Sequence, residues 1–304
     1  FGKSKIQSEY LVQHANFIAC HNQAFIGRYD VLEGIKEDGV FLLNSNWDSK
    51  DIFSHFTKEM QEVIIKKNVN VYNVNALDIA NEVGLGGRIN TVMQAAFFII
   101  SGVLPKDEAI TLIKGAIEKS YKKKGMKIVE MNWKAVDATE TALQKIDVPA
   151  ELPEVAAEPA KLIPDNADDF VKNVIEPIMR EKGDDIPVSA MPIDGYVPTG
   201  TAALEKRGVA PSVPHWIAEK CIQCNQCTFV CPHASIRAKL IEPADLEGAP
   251  ETFNVIDVKG KDKDKKFKIQ VYVEDCQGCS VCVNECPVGA LEMSPIQTER
   301  DAGE

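Results

Sequence analysis

The sequence has 304 residues, enough for two or three domains, with 45% hydrophobic and 26% charged residues, which excludes a disordered chain. A formal net charge of −11 without a basic arm argues against nucleic-acid binding. The longest apolar run, Ala95 to Ile100 extended through Val103-Leu104, is too short to span a bilayer, and no signal peptide is visible; the Phe1 start points to a piece of a longer or processed polypeptide.

Taken in chain order, Asn16 to Cys20 predicts a short buried strand. Phe25, Ile26, Tyr29, Leu32 and Ile35 follow at helical spacing. Val40 to Leu43 predicts a second strand, 54–67 a helix and Val69 to Val74 a third strand. Helices are expected over 90–102, 106–123 and 128–146. Alternating strands and helices imply a parallel sheet covered on both faces. Residues 147–169 are rich in proline and acidic residues and read as an extended, solvated linker. A short helix is expected next, with Phe170, Val174, Ile178 and Met179 on one face. Residues 183–214 lack any period. Further on, Thr252 to Val258 and Phe267 to Val273 read as an antiparallel hairpin with a charged tip at 259–266.

Nine cysteines are present, and eight of them fall within residues 221–286. In a large chain this clustering points to metal in a reducing compartment rather than to disulfides. Cys221, Cys224, Cys227 and Cys231-Pro232 repeat in spacing as Cys276, Cys279, Cys282 and Cys286-Pro287. This is the spacing of bacterial dicluster ferredoxins, in which the fourth cysteine serves the other cluster. Three thiolates at two-residue gaps curl around three corners of a cubane, and the fourth, one turn on, points to the neighbouring cube. Cluster 1 is therefore expected on Cys221, Cys224, Cys227 and Cys286, and cluster 2 on Cys276, Cys279, Cys282 and Cys231. Zinc is the competing reading, but a tetrahedral site needs two Cys-x2-Cys pairs and no third cysteine at the same gap. Gly278 and Ser280 sit where backbone must pass close to sulfide. Ile222, Phe229, Val230, Val281 and Val283 are expected to wall the clusters from water.

Other signals are weaker. Gly84-Leu85-Gly86-Gly87-Arg88 precedes a helix and reads either as a phosphate-binding turn or as a plain helix-start loop. Cys20 is expected to be a buried, inert thiol. His21-Asn22 follows a strand at its carboxyl end, where open α/β sheets bind ligands. His55, His215 and His233 read as surface or capping residues.

Several stretches carry a resemblance. Ala19 to Asn22, Asp30 to Ile35 and Gly84 to Gln94 make Phe1 to Val148 resemble the gamma domain of the 2-oxoacid:ferredoxin oxidoreductases. Asp194 to Thr201 and Glu205-Lys206-Arg207-Gly208 resemble the small connecting domain named for its Glu-Lys-Arg triplet in single-chain pyruvate:ferredoxin (flavodoxin) oxidoreductases. The dicluster module then follows in the family's order. The organisation implied is a gamma-type α/β domain at 1–148, lacking its first portion, an acidic linker and connecting segment at 149–214, a 2x[4Fe-4S] domain at 215–295 and a tail at 296–304. The fold class is thus an α/β domain with a parallel sheet, plus an α+β dicluster ferredoxin-like domain, joined by an irregular linker region.

The resemblance further implies a cytoplasmic oxidoreductase acting on a 2-oxoacid, homodimeric when full length. It would convert pyruvate and coenzyme A (CoA) to acetyl-CoA and CO2 and relay single electrons through two [4Fe-4S] clusters to ferredoxin or flavodoxin. Thiamine diphosphate, Mg2+ and a third cluster are expected only on domains outside this sequence, which holds no Gly-Asp-Gly motif and no spare cysteines. The fragment alone is expected to be inactive on pyruvate. Gly86, Gly87 and Arg88 become candidates for the CoA phosphates. The alternatives are a subunit of another 2-oxoacid oxidoreductase and a stand-alone dicluster electron carrier. The Glu-Lys-Arg segment favours pyruvate over the first.

Overall fold

The computed structural model describes Lys5 and residues 12–302, and the chain divides into two compact units, Phe1–Lys161 and Leu162–Glu304. The first unit is built on a sheet of order β1-β2-β3-β4. Strands β1 (Ala15–Cys20), β2 (Ile35–Asn44) and β3 (Asn70–Val74) run parallel, and β4 (Gln144–Lys145) closes the edge antiparallel to β3. Successive side chains of a strand point to opposite faces. Phe41 and Leu43 accordingly pack with Ile52, Phe53, Phe56, Met60 and Ile64 on one side. Leu42 packs with Val74, Ile79, Val92, Met93 and Ala135 on the other. Helix α1 (Lys58–Lys66), N-capped by the Thr57 hydroxyl, covers the first face. Helices α2 (Ala76–Glu82), α3 (Asn90–Ile100) and α5 (Met126–Ala142) cover the second, and α4 (Lys106–Tyr121) packs on α3 and α5 through Ile113 and Ile117.

Two expectations for this unit are corrected. No helix joins β1 to β2. A 3-10 turn at Gln23–Phe25 leads into a series of turns, with Gly27 and Gly34 at φ of 76° and 73°. The apolar residues there are anchors, Leu32 and Ile35 being buried and Phe25 and Ile26 packed on the same core. Their helical spacing does not mark a helix. The acidic, proline-rich stretch is also not free in solvent. Ala157 N–H donates to Phe56 (3.0 Å) and Ala160 N–H to Gly27 (3.0 Å). The buried Gln61 amide donates to both Phe53 (2.8 Å) and Val155 (3.0 Å) carbonyls. These bonds strap the segment onto the unit.

The second unit opens with a π-helix at Val171–Ile175 running into α6 (Glu176–Met179). Val171, Val174, Ile175 and Met179 are buried, but Ile178 is 51% exposed, because the wider π turn shifts the phase of the residues after it. Short 3-10 turns follow. The ferredoxin-like part pairs β5 (Ser212–Trp216) with β9 (Leu291–Pro295), and sets β8 (Lys266–Val271) between β6 (Ile236–Ile241) and β7 (Ile256–Asp257), all antiparallel. The expected hairpin is thus cut to two residue pairs, Ile256 with Phe267 and Asp257 with Lys266, and β6 is the main partner of β8. Short helices α7 (Gln226–Val230), α8 (Val281–Asn284) and α9 (Ile296–Asp301) complete the unit. No helix among the described residues is long and apolar enough to cross a membrane.

Candidate iron–sulfur sites

Both cysteine runs are framed alike. A strand, β5 or β8, leads through one 3-10 turn, Ala218–Lys220 or Val273–Asp275, into the first cysteine, and the third cysteine rides on α7 or α8. The third and fifth positions of each run are left-handed: Gln223 and Asn225 at φ of 62° and 60°, Gly278 and Ser280 at 69° and 63°. That conformation costs an L-residue about 1–2 kcal/mol. Three non-glycine residues held there mark a loop bent for a purpose. This bend, and a second after each fourth cysteine where Ala234 and Gly289 take φ of 51° and 61°, turn backbone N–H groups onto sulfur. Gln223 donates to Cys221 Sγ (3.4 Å), Gly278 to Cys276 Sγ (3.4 Å), Ser235 to Cys231 Sγ (3.3 Å) and Ala290 to Cys286 Sγ (3.2 Å).

The cysteines gather around two cavities. One is lined by Cys221, Cys224, Cys227 and Cys286, with Trp216, Ile269 and Leu291 among its walls. The other is lined by Cys276, Cys279, Cys282 and Cys231, with Pro214, Ile236 and Val271. The fourth cysteine of each run sits with the first three of the other. Among the described residues no three His, Cys, Asp or Glu side chains converge as a single metal ion requires. Four cysteines around one cavity, at the spacing of dicluster ferredoxins, suit a cubane.

The chemistry of the walls fits such a group. Trp216 Nε1 and Asn225 Oδ1 are buried without a hydrogen-bond partner, and both residues line the first cavity. A cluster sulfide would offer the indole N–H an acceptor. The Asn225 amide, with its O and N interchanged, offers a second donor. Burial, reinforced by Cys221, Cys282, Cys224 and Cys286, pushes the Cys227 thiol up to about 12. Burial and then Cys276, Cys231 and Cys279 push Cys282 up to about 11, and burial also raises Cys276. At Cys231 burial acts in the same direction, but the Ser235 hydroxyl and the backbone at His233, Ser235 and Ile236 prevail and lower it. Crowded thiols of this kind give up protons when iron replaces them, so cluster assembly expels protons.

The expected shielding residues divide. Val230 and Val283 pack into the core, and Ile222 and Val281 line the first and second cavity although each is partly exposed, whereas Phe229 is 86% exposed and lines neither. Residues of β5, β6, β8 and β9 add to the walls, above all Trp216, which the sequence did not single out. Lys268 was also missed: it is buried, with its ammonium 4.3 Å from the Phe253 ring centre and 5.7 Å from that of Trp216. The Glu-Lys-Arg triplet is tied to the turn before Cys276, through Lys206 to both Asp275 oxygens (3.0 Å) and Gly208 N–H to the Glu274 carbonyl (2.8 Å).

The remaining signals are scattered. Gly86, Gly87 and Arg88 form an exposed loop before α3, with open space around both glycines and no side-chain cap on the helix. Cys20 is buried and its thiol is raised to about 11 by that burial, which leaves it inert. His21 is exposed at the carboxyl end of β1, its carbonyl held by the Asn44 amide (2.9 Å). His55 stacks on Trp47, His215 faces the buried Glu299 carboxylate at 3.1 Å, and His233 is exposed.

Two four-cysteine cavities on a strand-framed repeat define a dicluster iron–sulfur protein, and residues 220–290 match the family described as "4Fe-4S dicluster domain". Residues 1–142 match "Pyruvate ferredoxin/flavodoxin oxidoreductase", and residues 156–210 match a family described as a domain of unknown function. The chain is 49% identical over 300 residues to the pyruvate:ferredoxin oxidoreductase of Moorella thermoacetica, covering 98% of this chain and 26% of that protein. It is 47% identical over 288 residues to a putative pyruvate-flavodoxin oxidoreductase of Synechocystis, covering 94% and 24%. A 42% match over 300 residues to the mitochondrial pyruvate dehydrogenase [NADP(+)] of Euglena gracilis covers 98% and 16%. The chain is thus similar to pyruvate ferredoxin/flavodoxin oxidoreductases over nearly all of its own length. It spans about a quarter of the length of the first two of these relatives.

Proposed function

We propose that this chain is the electron-handling section of an oxidoreductase that converts pyruvate and CoA to acetyl-CoA and CO2. The observation that carries the proposal is the pair of cavities, each lined by three cysteines of one run and the fourth of the other. Two [4Fe-4S] clusters supply one-electron storage each, which suits delivery of the two electrons of a 2-oxoacid oxidation singly to ferredoxin or flavodoxin. The chain's residues do the rest. Eight cysteines bind the clusters, N–H groups of the bent loops steady the sulfurs, and the walls around Trp216 and Val271 keep water out. The names of the relatives support pyruvate over another 2-oxoacid, and the first unit, with its own family match, speaks against a stand-alone carrier. On this reading thiamine diphosphate, Mg2+ and a third cluster belong to parts of the enzyme outside this sequence. The reading also carries a homodimeric assembly and the reducing cytoplasm, where thiols persist. The iron-loaded chain, reduced anaerobically with dithionite and freed of excess reductant, should return about two electrons to oxidised flavodoxin or ferredoxin, one per cluster. Reduced chain that neither acceptor reoxidises would overturn the proposal.

The exposed Gly86-Gly87-Arg88 loop adds a second element. Free N–H groups at a helix start and a planar guanidinium suit a phosphate. If the loop holds CoA, Arg88→Ala in the full-length enzyme should weaken apparent CoA affinity about tenfold, the loss of one charged hydrogen bond. Electron delivery from pyruvate without CoA should stay unchanged. Unaltered CoA affinity in the folded variant leaves the loop as a helix start only.

A further inference from the structure

The two cluster sites share one framework, and at the position four residues after each run's last cysteine they differ by one hydroxyl. Ser235 and Ala290 each lie four residues after the last cysteine of their run. Each donates its N–H to that cysteine's Sγ, at 3.3 Å and 3.2 Å. Each carbonyl accepts an N–H from the residue just after a strand, Tyr272 to Ser235 at 2.7 Å and Ile217 to Ala290 at 2.9 Å. Both are 3% exposed, so water does not compete. The difference is the hydroxyl: Ser235 Oγ sits 3.3 Å from Cys231 Sγ, and Ser235 lines the same cavity as Cys276. Both cysteines line the same cavity.

Resting on the reading that these cysteines ligate clusters, we infer that Ser235 is a potential-setting residue, raising the reduction potential of the cluster held by Cys231, Cys276, Cys279 and Cys282. A ligating thiolate has no proton, so the hydroxyl must donate. Reduction adds negative charge to the sulfurs, and a donor aimed at them favours the reduced form. The backbone bonds at Ser235 fix the hydroxyl beside the ligand, and Ala290 leaves its counterpart without one.

The test is an EPR-monitored redox titration of the iron-loaded chain, with iron counted in every sample. Ser235→Ala should lower the reduction equilibrium of one cluster by up to about tenfold, or about 59 mV for one electron, and leave the other in place. Ser235→Thr should restore it. Ala290→Ser should raise the other cluster, since Ala290 lines the first cavity and its N–H already bonds Cys286 Sγ. Full iron content with neither potential moved would overturn the inference and leave the cluster reading intact. An iron-free parent chain would overturn both. If Ser235→Ala loads poorly, Ala290→Ser decides alone: an upward shift supports the inference and no shift refutes it.

Discussion

Replacing Gly278 with valine should cost the ferredoxin-like unit its stability and the cluster of the second run its iron. Gly278 sits at φ 69°, and a side-chain carbon there would stand 2.9 Å from the Ser212 carbonyl oxygen and 3.1 Å from Ala210 Cβ. Left-handed strain of about 1–2 kcal/mol adds to overpacking of about 1–3 kcal/mol. The displaced backbone would also withdraw the N–H that bonds Cys276 Sγ at 3.4 Å. Gly289→Ala is the control, having φ 61° but open space around it, and should cost only the strain. Urea unfolding and iron content of the two variants measure the difference. Equal losses would mean that close approach to β5 is not what requires the glycine.

The sequence was most informative where chemistry fixes spacing. The eight cysteines in two equal runs point to two sites, because a cubane corner dictates the gap between ligands, and the structure gathers them around two cavities, the fourth of each run with the first three of the other. The parallel sheet was readable for a similar reason: Phe41, Leu42 and Leu43 form a short apolar run with both faces buried. Where packing depends on remote partners, the reading failed. Strand β5 is Ser-Val-Pro-His-Trp, with a proline inside and a partner, β9, far along the chain. Nothing local marks Trp216 as a cavity wall. The same holds for Leu32 and Ile35, whose helical spacing reflects anchorage of a looping segment to one core. The strap at 155–160 looked solvated because its attachment uses backbone groups rather than apolar side chains.

Ser235 shows a third kind of gap. Comparing the two runs residue by residue, Cys231-Pro-His-Ala-Ser with Cys286-Pro-Val-Gly-Ala, exposes the hydroxyl difference in the sequence itself. Its meaning appears only when the hydroxyl of a buried Ser235 is seen 3.3 Å from sulfur.

Iron and sulfide counts on paired cysteine variants test the central claim, two cubanes on crossed ligands, most directly. The anaerobically prepared parent should hold about eight irons and eight sulfides per chain. Cys221→Ala combined with Cys286→Ala removes two ligands from one cavity, and should leave about four irons in an intact second cluster. Cys276→Ala combined with Cys286→Ala takes one ligand from each cavity and should damage both clusters, leaving well under four irons. The reverse pattern would contradict the crossing, and stoichiometric zinc without iron in the parent would contradict the clusters themselves.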